Sequence, residues 1–157
     1  MKPSLYLETT IPSYLTSRPS RDLVVAGRQQ ITRDWWTRRR SRFKLFVSQV
    51  VLDEATEGDA DAARDRLALI KTMPLLAVTD EVISLTETIL RAKVLPKKAA
   101  RDAAHIATAA VHGMNFLLTW NCVHLANAEI FEDVETVCRF EGHRCPVICT
   151  PEELLGA

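Results

Sequence analysis

Three carboxylates and one carboxamide stand where a polar group needs an explanation. The first is Asp102, in the run from Ala99 through Arg101, His105 and Ala109 to Gly113. His105, Ile106 and Ala109 lie three, four and seven residues further on, so Asp102 shares their face of any helix. A charge on an apolar face is costly unless it is paired or bound to a metal. Glu54 repeats the pattern, sharing a face with Val47, Val50 and Val51. Glu8 directly follows the apolar run Leu5-Tyr6-Leu7, and Asn121 ends the run Phe116 to Trp120. Glu8, Glu54 and Asp102, with Asn121 as a further oxygen donor, form the oxygen-rich set that hard cations such as Mg²⁺ or Mn²⁺ prefer. A cation held so can orient and polarise a phosphodiester and help deprotonate an attacking water. Each residue also has a plainer role open to it: Glu54 paired with an arginine, Asp102 with Lys98, Glu8 capping the helix after it, Asn121 in a turn.

The elements that must bring these residues together can be read in order. Leu5–Leu7 is a first strand, and Thr9 or Thr10 caps a short helix with Pro12 in its first turn. A long helix is expected from Asp22 to about Arg42, ending in the basic cluster Arg38, Arg39, Arg40 and Arg42, where cations suit a helix C-terminus. Phe43–Val47 is a second strand, and Ser48 caps the helix 49–57 that carries Glu54. A helix from Asp59 to Lys71 precedes a third strand, Leu75–Val78. Thr79 or Asp80 caps a helix running to about Val94. Pro96 opens the helix of Asp102, which Gly113 ends. Phe116–Trp120 is the fourth strand, Ile130–Phe140 a helix and Pro146–Cys149 the fifth strand, and Thr150 begins a last helical turn. Strands alternating with helices predict an α/β protein with a parallel sheet covered on both faces. In such sheets the site lies beyond the carboxyl ends of the strands, where strand order reverses. Glu8 and Asn121 both follow strands, as that rule requires.

The totals narrow the classes. At 157 residues the chain is read as one domain, 1–157, long enough for a substantial core. Twenty Lys and Arg balance twenty Asp and Glu, so bulk charge attracts no nucleic acid and any such contact must be local. Lys98 and Arg101 lie within about a turn of Asp102, where they would hold a phosphate backbone. The Arg38–Lys44 run is read chiefly as a solvated helix end, and Trp35 and Trp36 as core or dimer contacts. Thr9, Thr10 and Thr119 can hydrogen-bond carboxylates or bound water, and Thr9 and Thr119 are further candidates for contact with substrate. The N-terminus reads as neither signal peptide nor membrane span, which with four cysteines and no CxxC pair predicts reduced thiols in a cytoplasm. Cys138, His143, Cys145 and Cys149 fit no common zinc spacing. His105 is read as a packed helix residue within hydrogen-bonding reach of Asp102, and His124 as approaching the site from the loop after Asn121.

Three segments together carry a resemblance. Leu5-Tyr-Leu-Glu8-Thr-Thr-Ile-Pro-Ser-Tyr-Leu15, Val47-Ser-Gln-Val-Val-Leu-Asp-Glu54, and Arg101-Asp102-Ala-Ala-His-Ile-Ala-Thr-Ala with Leu118-Thr-Trp-Asn121 resemble, in the same order, the PIN domain of VapC-like toxins from type II toxin–antitoxin systems. The resemblance spans nearly the whole chain. It implies a three-layer α/β/α sandwich around a five-stranded parallel sheet. It implies a Mg²⁺- or Mn²⁺-dependent endoribonuclease, usually homodimeric and neutralised by a cognate antitoxin. It assigns the four acidic motif positions to Glu8, Glu54, Asp102 and Asn121. The family usually has aspartate at the first and often at the fourth, so Glu8 adds a methylene and Asn121 removes a charge. Fewer anionic ligands weaken metal binding, which leaves open a second reading, a non-catalytic RNA- or protein-binding module with the same fold.

Overall fold

The computed structural model describes residues 1–156. Five strands form one sheet in the order β3-β2-β1-β4-β5, and every pairing is parallel. They are β1 (Ser4–Leu7), β2 (Lys44–Ser48), β3 (Leu75–Leu76), β4 (Phe116–Leu118) and β5 (Val147–Cys149). The seven helices among the described residues are α1 (Thr10–Thr16), α2 (Leu23–Arg38), α3 (Gln49–Ala55), α4 (Ala60–Ile70), α5 (Asp80–Arg91), α6 (Ala100–Val111) and α7 (Ala128–Phe140). Helices α5, α6 and α7 pack on one another, as do α1, α2, α3 and α4. Right-handed crossovers send the connections that step toward β3 and those that step toward β5 to opposite faces. The result is the expected α/β/α sandwich.

The two central strands are buried on both faces, which is why they read as unbroken apolar runs. Leu5, Tyr6, Leu7, Leu117 and Leu118 are all sealed from solvent. Helix α6 lies deep because its residues are small: Ala103, Ala107, Ala109 and Ala110 are buried. Their size lets the backbone approach its neighbours closely enough to bring residues 102 and 105 to the sheet edge.

Several element boundaries differ from the sequence reading, each for a local reason. The long helix stops at Arg38, and Arg40–Arg42 form a separate 3₁₀ turn. Repulsion among adjacent arginines in the last turn favours that break. Helix α5 stops at Arg91, and Lys93 takes the left-handed conformation at φ 59° to reverse the chain. Pro96 opens a 3₁₀ turn, Lys97–Ala99, before α6 proper. Strand β4 ends at Leu118, two residues early, because the hydroxyls around Thr119 take over the hydrogen bonding there.

Candidate active site

The sheet order reverses between β1 and β4, and Glu8 and Thr119 follow those two strands. Glu8 is only 4% exposed, yet its Oε1 accepts three hydrogen bonds. They come from the Thr10 backbone amide (3.0 Å), the Thr10 hydroxyl (2.5 Å) and the Thr119 hydroxyl (2.8 Å). Both hydroxyls are oriented from behind. Thr10 Oγ1 accepts from the Trp120 amide at 2.8 Å, and Thr119 Oγ1 accepts from the Asn121 amide at 2.9 Å. Their protons are thereby committed to Glu8. Trp120 is fixed in turn, its indole Nε1 donating to Thr32 Oγ1 on α2 at 2.7 Å.

Glu54, near the end of α3, is anchored the same way. Its Oε1 receives the Thr9 hydroxyl at 2.6 Å and faces His105 Nε2 at 2.5 Å. His105 Nδ1 meets the Tyr6 hydroxyl at 2.7 Å, and that hydroxyl lies 2.7 Å from Ser48 Oγ. Tyr6, Ser48 and His105 are all fully buried. One ligand atom from each of Glu8, Glu54 and His105 falls within 4.8 Å of the others. Both nitrogens of His105 already have protein partners, so its ring buttresses Glu54 from behind.

Asp102, in the first turn of α6, is not part of that cluster. Its Oδ2 lies 3.1 Å from His124 Nδ1, and the two side chains are 17% and 23% exposed. The two histidines thus exchange the partners expected of them: His105 serves Glu54, and His124 serves Asp102. Lys98 is exposed and does not hold Asp102, while Arg101 pairs with Glu57 at 2.5 Å. Thr9 and Thr119, candidates for substrate contact, use their hydroxyls on Glu54 and Glu8 instead. Asn121, expected as the fourth oxygen donor, spends Oδ1 on the amides of Val123 (3.2 Å) and His124 (3.0 Å). Two accepted bonds occupy both lone pairs of that oxygen. The reason is local: residues 122–125 make a single helical turn, and Asn121 caps its first amides.

The electrostatics follow from these contacts. Burial pushes the Glu8 carboxyl above the usual range, with His105, Thr10 and Thr119 pulling against it. Burial acts on Glu54 too, but the His105 contact and the Thr9 hydroxyl outweigh it and hold that carboxyl low. Burial lowers the His105 pKa, yet Glu54, Glu8 and Asp102 together raise it above its ordinary 6.5. A carboxylate pair pushed in opposite directions beside an imidazole marks a site built for more than stability.

Glu8, Glu54 and Asp102 share one feature. Each has a single carboxylate oxygen engaged by protein, and the other accepts no protein hydrogen bond among the described residues. Hard oxygens held from behind and open in front suit a divalent cation that keeps waters in its shell. Sequence reasoning missed Tyr6 and Ser48. The signal was a hydroxyl-bearing aromatic between two leucines of a buried strand, which needs a buried partner for its polar tip.

A five-stranded parallel sheet of this order, with acidic residues gathered at the carboxyl ends of its central strands, is the PIN-domain fold of VapC-like toxins. Two solved structures share it. One is VapC20 of Mycobacterium tuberculosis, described as a Sarcin-Ricin loop cleaving toxin, at 16% identity and TM-score 0.56 over 77% of this chain and 92% of that one. The other is a chain of VapBC2 from Rickettsia felis bound to a DNA fragment from their promoter, at 10% identity and TM-score 0.54 over 93% of this chain and 97% of that one. By sequence, no family model matches the chain, and no curated protein matches it significantly. No helix among the described residues is long and apolar enough to cross a membrane.

Proposed function

We propose that this chain is a Mg²⁺- or Mn²⁺-dependent endoribonuclease, the toxin of a toxin–antitoxin pair. The observation that carries the reading is the half-open carboxylate set Glu8, Glu54 and Asp102 at the switch point of a PIN fold. Those three residues would hold the cation. When bound, it would polarise the phosphodiester and lower the pKa of a water. The chain's own groups do the rest. Thr10 and Thr119 hold Glu8 ionised against its burial, and His105 and Thr9 orient Glu54. Lys98 and Arg101 supply positive charge one turn or less from Asp102 to steady the RNA backbone. The described functions of the two similar toxins support the reaction class. The VapBC2 structure supports a cognate antitoxin, and we extend the reading to a cytoplasmic homodimer.

The test is cleavage of RNA with added Mg²⁺ or Mn²⁺ by the wild type and by Asp102→Ala. The expected result is cleavage that EDTA stops and that the variant lacks while keeping its circular dichroism and melting temperature. RNA left whole by the wild type at every metal concentration overturns the proposal. One observation favours a second reading, a binding module without catalysis: the oxygen of Asn121 is spent on a turn, so the site has one donor fewer. Tight RNA binding without cleavage, together with weak Mn²⁺ uptake by calorimetry, would select it.

A further inference from the structure

We propose that the Asp102–His124 pair, locked in place by the Asn121 turn, recognises the ribose 2′-hydroxyl of the strand at the site. Asn121 is then a positioning residue and not a donor to the ion. The inference deepens the ribonuclease reading and rests on it.

The argument starts at the turn. Asn121 ties down residues 123–126 through four bonds. Its side-chain oxygen takes the amides of Val123 and His124, and its backbone oxygen takes those of Leu125 (3.2 Å) and Ala126 (2.8 Å). The Asn127 side chain closes the loop onto the Val123 carbonyl at 2.9 Å. This brings His124 Nδ1 to 3.1 Å from Asp102 Oδ2. An imidazole nitrogen facing a carboxylate oxygen carries the hydrogen, because two lone pairs would repel. In the neutral ring that leaves Nε2 as an acceptor. It points away from Asp102, has no protein partner among the described residues, and belongs to a side chain 23% exposed.

The chemistry of the partner follows. Phosphate and ring oxygens of a nucleic-acid backbone only accept hydrogen bonds. The 2′-hydroxyl is the one backbone donor, and it is present in RNA alone. An acceptor nitrogen beside an acid that holds the scissile region is therefore suited to the sugar of a ribonucleotide. Solvent-facing cytosolic DNA or a deoxy strand would leave Nε2 without that partner.

The experiment uses a fluorescein-labelled single-stranded RNA that the wild type cuts, and its all-2′-deoxy counterpart. Binding is read by anisotropy in Ca²⁺, and Mn²⁺ affinity separately by calorimetry. One lost hydrogen bond predicts that His124→Ala lowers the RNA-over-DNA affinity ratio about five- to tenfold. Asn121→Ala should lower it similarly, with no further loss in the double variant and Mn²⁺ affinity as in the wild type. Asn121→Asp, which can accept the same two amides, should keep the ratio. Should His124→Ala fail to fold, His124→Phe keeps the ring volume without the nitrogen and should show the same loss. An unchanged ratio in the histidine variants overturns the inference, as does an Asn121→Ala that weakens Mn²⁺ binding and leaves the ratio intact. If the wild type cuts no RNA at all, it is the ribonuclease reading that falls.

Discussion

Replacing Tyr6 by phenylalanine removes a single oxygen and tests the buried network behind Glu54. That oxygen lies 2.7 Å from both Ser48 Oγ and His105 Nδ1, and none of the three residues reaches solvent. The ring volume stays, so no cavity opens and the apolar packing is kept. The cost is polar: the serine hydroxyl and the imidazole nitrogen both lose a partner with no water to replace it. An orphaned buried group costs about 1–3 kcal/mol, so with both affected we expect a loss of about 2–4 kcal/mol. At about 2–4 °C per kcal/mol for a chain of this size, the melting temperature should fall by about 4–12 °C. Ser48→Ala alone should cost about 1 kcal/mol, since Tyr6 keeps its contact with His105. The double variant should cost about 1 kcal/mol less than the sum, because the hydroxyl that Tyr6→Phe strands is no longer there. Urea unfolding of the three variants, free of metal, measures all of these. A Tyr6→Phe loss below about 0.5 kcal/mol, or strict additivity, would refute the view that this network is sealed and mutually dependent.

Further outcomes follow from the site. Glu8→Gln keeps the oxygen that Thr10 and Thr119 hold but removes a charge that burial disfavours. Its stability at pH 7.5 should equal or exceed that of the wild type in urea, while Mn²⁺ binding by calorimetry is lost. Because the folded protein raises the His105 pKa, the imidazolium contributes stability that is fully present below its unfolded value of 6.5 and is lost as pH rises through the folded value. Metal-free protein should therefore lose stability as pH climbs above 6.5, and His105→Gln should flatten that limb of the profile. Glu54, held low, should contribute the opposite limb, stability lost on acidification below the ordinary carboxylate range. Charge reversal at Lys98 and Arg101 should weaken RNA binding and shallow its dependence on salt, with the melting temperature unmoved because both side chains are exposed.

Much of this was legible in one dimension. Apolar runs at Leu5–Leu7 and Phe116–Leu118, each ending in polar residues, announced central strands and the places where chemistry would sit. Small residues along α6 and the stop at Gly113 announced a deeply packed helix. The carboxylates Glu8, Glu54 and Asp102 were visible because charge on an apolar face is costly, and periodicity exposes it. Periodicity says which face a side chain leaves from, but not which groups from distant segments wait there. Whether His105 or His124 meets Asp102 depends on how α3 and the 122–125 turn lie against α6. Whether Asn121 reaches outward or folds back on its own chain depends on two amides whose direction is set only once that turn forms. The Tyr6–His105–Glu54 chain joins residues up to 99 positions apart in sequence. Hydrogen-bond partners at such separations are chosen by packing, since a buried polar group takes whichever partner the assembled core brings within reach.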